Sequence, residues 1–119
     1  MGLSVTTRTV DDASIIVASG EIDIYTSPEF RRTVEPAVAR AAAVVVDLTE
    51  VALLDSSGLT ELARLTGRRG PRLRPVALVG LQPALLRLVE LTELRGRFIL
   101  ADGVDEALGV LRERREAAS

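Results

Sequence analysis

The side chains of this sequence that could do chemistry are hydroxyls and carboxylates, concentrated in two short stretches. The first is Leu54-Asp55-Ser56-Ser57-Gly58-Leu59, and the second is Gly20-Glu21-Ile22-Asp23, which Tyr25 and Ser27-Pro28 soon follow. Serine and aspartate oxygens at such turns cap helices, and they also accept protons or groups that another molecule supplies. The two stretches are therefore the candidate functional sites.

The residue inventory excludes most enzymatic uses of these groups. The chain contains no histidine, no cysteine and no lysine, so all 15 basic residues are arginine. Arginine stays protonated and cannot act as a general base. Serine activation by histidine or lysine, Schiff-base chemistry and His/Cys zinc sites are therefore unavailable. Any catalysis would have to use carboxylates, hydroxyls or a carboxylate-bound metal.

Length and composition favour one domain over residues 1–119. The 119 residues are 47% hydrophobic and only 3% aromatic, which predicts a core of small aliphatic side chains. A net charge of −2 predicts no binding to nucleic acid or to a membrane. No segment approaches the roughly 20 apolar residues of a bilayer span, and no leader pattern opens the chain. We therefore expect a cytoplasmic protein, which the lack of cysteine also fits.

Hydrophobic periodicity predicts a mixed, mostly parallel sheet with an N-terminal antiparallel hairpin, in the order β-β-α-β-α-β-α-β-α. The expected strands cover residues 3–8, 14–19, 44–48, 76–80 and 98–101, and the helices begin near Ser27, Leu59, Pro83 and Asp102. Pro36 should kink or break the first helix. Residues 68–75 should form a loop, and the charged tail 112–119 should fray.

Three stretches in this order resemble the STAS domain of anti-sigma factor antagonists, bacterial regulators that free a sigma factor from its inhibitor. They are Gly20-Glu21-Ile22-Asp23 with Ser27-Pro28, then Val45-Val46-Asp47-Leu48 with Asp55-Ser56-Ser57-Gly58-Leu59, and finally Arg87 to Ala107 with Leu91-Thr92-Glu93-Leu94 and Asp105-Glu106-Ala107-Leu108. Together these stretches span nearly the whole chain. The resemblance predicts a single STAS-like α/β domain.

The resemblance also implies a mechanism of partner switching, in which this protein is not an enzyme and holds neither a metal nor another cofactor. It predicts that Ser57 is phosphorylated by an anti-sigma factor that is itself an ATP-dependent serine kinase. The unphosphorylated form would bind that kinase and release the sigma factor, and a serine phosphatase would restore it. The partner-binding residues would be Asp23, Tyr25, Asp55, Ser56 and Gly58. Self-association into a weak homodimer stays open.

The expected position of Ser57 suits a phosphate. It should lie at the start of the second helix, where free backbone N–H groups and the helix dipole favour an anion. A phosphate adds a charge of about −1.5 to −2 beside Asp55, and near Asp23 if the two loops meet. The fold should tolerate that charge, whereas a docked partner should be repelled by it. Gly58 should keep the turn thin enough for a kinase to reach the hydroxyl.

Plainer interpretations of the same residues stay open. Asp55, Ser56 or Ser57 could simply cap the helix, and Asp23 could be an ordinary turn aspartate. Asp47 is better explained as a capping or loop-ordering residue than as a ligand. The basic side chains of the 68–75 loop are most simply solvated, with a phosphate or nucleic-acid role as the alternative; they are Arg68, Arg69, Arg72 and Arg74.

Two further functions compete with the switch. The first is a constitutive STAS scaffold subunit of a stress-signalling or lipid-transport complex, which would use the same face without phosphorylation. The second is a receiver-like or metal-assisted phosphotransfer site built from Asp11, Asp12, Asp23 and Asp55. Such a site needs a lysine, which the chain lacks.

Overall fold

The computed structural model describes residues 2–69 and 72–118. The strands are β1 (Leu3–Val10), β2 (Ala13–Ile22), β3 (Ala43–Leu54), β4 (Arg68–Arg69), β5 (Arg72–Leu73), β6 (Val76–Val79) and β7 (Phe98–Ala101). The helices are α1 (Ser27–Val38), α2 (Ser56–Arg64), α3 (Pro83–Glu90) and α4 (Val104–Ala118), with a 3-10 helix over Glu93–Arg97. The sequence-based order of strands and helices is confirmed for the main sheet.

The main sheet has five strands in the order β1-β2-β3-β6-β7. β1 pairs antiparallel with β2 through the turn at residues 11–12, and every other neighbouring pair is parallel. β3 lies in the centre because its valine run, Val44 to Val46, is buried on both faces. The predicted fold class, a mostly parallel sheet with an N-terminal antiparallel hairpin, is therefore correct.

Helices cover the sheet on both faces. Alternate strand residues such as Ile16, Val46 and Leu78 face a core formed with helices α1, α2 and α3. The intervening residues, such as Ile15 and Val45, face a second, smaller core that α4 closes. This alternation follows from the opposite direction of successive side chains along a strand. All three crossover helices that follow β2, β3 and β6 thus lie on one face.

Strands β2 and β3 extend well beyond the predicted 14–19 and 44–48. They continue as a pair to Ile22 and Leu54, and register shifts occur between Val17 and Ser19 and between Gly20 and Glu21. The local pattern does not mark this extension, because the polar residues Thr49 and Glu50 interrupt the apolar run between Leu48 and Val51. The extension carries the loops that follow both strands beyond the carboxyl end of the shorter β6.

Other boundaries also differ from prediction. α1 continues past Pro36 to Val38, so the proline lies in the last turn of an unbroken helix. β4 and β5 form a short antiparallel hairpin where a loop was expected. α4 includes the described part of the charged tail, through residue 118. No helix of the described ranges is long and apolar enough to cross a membrane.

Arg74 was expected to be a solvated loop residue, and the structure contradicts this. Its guanidinium donates to the carbonyl oxygens of Val38 and Leu65, at the carboxyl ends of α1 and α2. Positive charge is favourable there because the last carbonyls of a helix lack intrahelical donors. The role proposed for the remaining arginines of that loop concerns side chains that lie outside the described part of the chain.

Candidate functional site

The two candidate stretches meet at the carboxyl ends of adjacent strands. Ile22, the last residue of β2, pairs with Leu54, the last residue of β3. Asp23 and Asp55 therefore follow directly on paired residues and enter neighbouring loops. Carboxyl ends of parallel strands are the usual location of functional groups in α/β sheets. The structure thus brings the two loops together, a point that the sequence left open.

Asp55 is the cap of α2. Its backbone is extended, with φ −101° and ψ −172°, and its Oδ1 accepts a hydrogen bond of 3.0 Å from the Gly58 amide. Its other carboxylate oxygen accepts one of 3.3 Å from the amide of Ile24 in the neighbouring loop. The plain interpretation of the tetrapeptide is correct for Asp55, which caps the helix and also ties the two loops together.

Ser56 and Ser57 occupy the first two positions of α2. Ser56 is exposed, and its carbonyl accepts a hydrogen bond from the Thr60 hydroxyl. Ser57 is half-buried at the first turn. Backbone amides of the first helical turn have no intrahelical acceptor and carry the positive end of the helix dipole. An anion attached at Ser57 would therefore lie in a favourable field.

Gly58 allows the first turn of α2 to pack directly on the end of β2. A Cβ placed there would overlap the carbonyl oxygen of Ile22 and would lie 2.6 Å from Cδ1 of Leu54. Only a residue without a side chain fits between these groups. Gly58 is buried, so its role is to bring the Ser57 turn against the strand ends, and it is not itself exposed for partner contact.

Asp23 orders the loop between β2 and α1. Its Oδ1 accepts hydrogen bonds from the amides of Tyr25 at 2.9 Å and Thr26 at 3.0 Å. The Thr26 hydroxyl accepts from the Asp23 amide and donates to the carbonyl of Glu21. The amide of Thr26, helped by that of Tyr25, lowers the pKa of Asp23 below the usual aspartate value. Asp23 is thus an ionised turn residue beside Asp55.

Apolar side chains are exposed around this acidic turn. Tyr25 is 88% exposed, as its predicted partner-binding role requires, and its neighbour Ile24 is 64% exposed. Leu53, opposite Glu21 in the strand pairing, is 44% exposed. Ile24 and Leu53 were not among the predicted site residues. The sequence does hold one signal for Leu53, because two successive leucines in a strand must point to opposite faces.

A buried ion pair beside the turn was also not predicted. Glu61 of α2 is only 6% exposed, and it accepts hydrogen bonds from Nε and Nη2 of Arg31 at 2.9 and 2.5 Å. Nε of Arg64 lies 3.6 Å from the same carboxylate. The hydrogen bond to Glu61 raises the pKa of Arg31. This charged group joins α1 to α2 one helical turn beyond Ser57.

The remaining acidic candidates lie elsewhere. Asp11 and Asp12 precede β2 whereas Asp23 follows it, so a ten-residue strand of about 30 Å separates them. Asp11 and Asp12 pair instead with arginines of α4. The receiver-like site proposed from all four aspartates is therefore wrong. Asp47 accepts from the amide and hydroxyl of Thr49. Both residues lie inside β3, so the capping or loop-ordering role expected of Asp47 is wrong.

Comparisons with known proteins agree with this arrangement. A family model described as "Mlab, STAS domain" matches residues 5–101. The chain is 35% identical over 95 residues to the anti-sigma-B factor antagonist of Listeria monocytogenes, and the alignment covers 79% of this chain and 82% of that protein. The shared region includes most of the sheet.

Solved structures share the fold. The crystal structure of an anti-sigma factor antagonist from Mycobacterium paratuberculosis has a TM-score of 0.83 and 32% identity, over 93% of this chain and 95% of that one. The Bacillus cell fate determinant SpoIIAA, in its phosphorylated form, has a TM-score of 0.60 and 18% identity, over 91% and 99% of the two chains. The chain therefore belongs to the STAS domain family, among the anti-sigma factor antagonists.

Proposed function

We propose that this protein is a phosphorylation-controlled switch. Its unphosphorylated form binds an anti-sigma factor serine kinase and so releases the sigma factor. Phosphorylation of Ser57 abolishes that binding. The observation that carries the proposal is the placement of Ser57, half-buried on the first turn of α2, between the Asp55 cap and the turn ordered by Asp23.

The fold can accept a phosphate at this position without losing its local structure. Asp55 caps the helix through the amide of Gly58 and not through Ser57. A substituent on the Ser57 hydroxyl therefore breaks none of the capping bonds described above. The dipole and the first-turn amides of α2 stabilise a negative charge there. Folding and phosphorylation are thus compatible.

The proposed docking face consists of the Asp23 turn with Ile24 and Tyr25, together with Asp55 and Ser57. This face would not accept a phosphate. Asp23 and Asp55 already place two carboxylates at this edge, and a phosphate adds a charge of about −1.5 to −2. Exposed Ile24 and Tyr25 are the kind of apolar and aromatic side chains that a partner buries at the centre of an interface. Burying them beside a new dianion carries a desolvation cost that the bare hydroxyl does not. Phosphorylation therefore acts by preventing docking.

The relatives support the role. The Listeria relative is named an anti-sigma-B factor antagonist, and a protein of the same fold has been solved in a phosphorylated form. By this proposal the protein itself is not an enzyme, because the kinase and an opposing serine phosphatase do the chemistry. The switch would work in the cytoplasm, where its sigma factor meets RNA polymerase.

Phosphate transfer to Ser57 tests the proposal. Incubation with ATP and the cognate anti-sigma factor kinase should add the mass of one phosphate to the chain. Ser57→Ala should lose this gain, because no other hydroxyl occupies the same position. The matched control is Ser56→Ala, one residue away on the exposed side, which should be phosphorylated like the wild type. Retained labelling in Ser57→Ala would remove Ser57 from the role.

A second candidate function is a constitutive scaffold subunit, a role that the same STAS domain could fill without phosphorylation. A scaffold would use the same face, but it would be insensitive to charge at Ser57. The variant Ser57→Asp separates the two functions in the same binding assay. Partner binding equal to wild type supports the scaffold, and lost binding supports the switch.

A further inference from the structure

The ion pair between α1 and α2 is an unusual feature of the core. Glu61 is the only buried residue with a charged side chain within the described ranges, and two arginines surround its carboxylate. Burying a carboxylate is costly unless it is paired, and removing one partner of such a pair is more costly still. The pair therefore holds the Arg31 guanidinium in a fixed position.

Ser57 lies one helical turn before Glu61, the residue that holds the guanidinium. Ser57, Glu61 and Arg64 are spaced i, i+4 and i+7, so they share one stripe of α2. Glu61 contacts Arg31, and hence this stripe faces α1. Four residues of a helix span one turn, so the Glu61 carboxylate follows Ser57 by about 6 Å along the axis. A group added to Ser57 would therefore extend beside the guanidinium.

Arg31 has the capacity to bind a second anion. A guanidinium has five N–H donors, and its two hydrogen bonds to Glu61 use one on Nε and one on Nη2. The side chain is 41% exposed. A phosphate could thus be bound without displacing Glu61.

We propose that Arg31, held by Glu61, binds the phosphate group carried on Ser57. The ligand class is a phosphoserine dianion, for which the planar guanidinium is well suited. The inference rests on the proposed function in one respect only, namely that Ser57 carries the phosphate. It makes Arg31 the residue that fixes the phosphate on the α1 side of the docking face.

The pKa of the phosphate tests this binding. Phosphoserine can be incorporated at position 57 during translation, so the test needs no kinase and fails independently of the proposed function. A ³¹P NMR titration then gives the second pKa of the phosphate. A nearby guanidinium lowers it, and Arg31→Met should raise it by about 1 unit relative to the phosphorylated wild type. The control Arg32→Met removes an equal charge from an exposed position of α1 and should leave the pKa unchanged.

A double variant covers the risk that Arg31→Met unfolds because Glu61 is left with fewer partners. Replacing Arg31 and Glu61 together by methionine substitutes apolar side chains for the pair, which is often neutral or stabilising. Its phosphate pKa should also exceed that of Glu61→Met alone, which retains Arg31. The proposal would be overturned if the phosphate pKa were equal in the double variant and in Glu61→Met. It would also be overturned if the pKa were equal in the wild type and in a folded Arg31→Met variant.

Discussion

Gly58→Ala is expected to destabilise the protein by about 3 kcal/mol, although alanine is the better helix former. The gain in helix propensity is about 1 kcal/mol. It is outweighed because the new methyl group would overlap the carbonyl oxygen of Ile22, which belongs to the backbone of β2 and cannot rotate away. Urea denaturation of the purified variant measures the loss.

Gly109→Ala is the matched control for this variant. Gly109 lies inside α4, and a Cβ there would meet no atom within 4 Å. The same substitution should therefore stabilise the protein, by up to about 1 kcal/mol. If alanine lowers the free energy of unfolding at position 58 and raises it at position 109, the loss at Gly58 comes from the close packing of the Ser57 turn. A neutral Gly58→Ala would mean that α2 does not pack on β2 as described.

Phe30→Ala should cost about 3–5 kcal/mol, the range found when a buried phenylalanine is truncated. Phe30 is 1% exposed and belongs to the core that joins α1 to the sheet. Few other large side chains fill that space, because the chain has only two phenylalanines, one tyrosine and no tryptophan. The cavity left by truncation is therefore difficult to fill by rearrangement. Thermal and urea unfolding measure the change.

Thr33→Ala provides the comparison for Phe30→Ala. Thr33 is exposed on the same helix, and its replacement should change stability by less than about 0.5 kcal/mol. Phe30→Leu keeps part of the side-chain volume, so its loss of stability should lie between those of Phe30→Ala and Thr33→Ala. An equally small loss of stability in Phe30→Ala and Thr33→Ala would contradict the packing of α1 on the sheet. It would also contradict the position of the Asp23 turn, which leads into α1.

Local chemistry explains why much of the site could be predicted. The aspartate, two serines and glycine that follow β3 are adjacent in sequence, and they include both the helix cap and the residue that packs closely on β2. Asp55 and Gly58 fulfil those roles in the structure. The order of strands and helices was equally accessible, because hydrophobic period and helix-starting residues are properties of short segments.

The remaining features depend on residues distant in sequence. The last half of β3 pairs with the end of β2 across two register shifts that no local pattern encodes. Arg31 and Glu61 are 30 residues apart, and only the packing of α1 against α2 brings them into contact. The exposed side of the docking face, including Ile24, likewise follows from the loop geometry that Asp23 and Asp55 impose.

The most direct test of the switch is the affinity of the anti-sigma factor kinase for the two states of Ser57. Isothermal titration calorimetry can compare the unmodified chain with the chain carrying phosphoserine at position 57. Repulsion from Asp23 and Asp55, together with desolvation of the phosphate, should cost about 3 kcal/mol at the interface, or roughly 100-fold in Kd. Equal affinities of the two forms would contradict the switch.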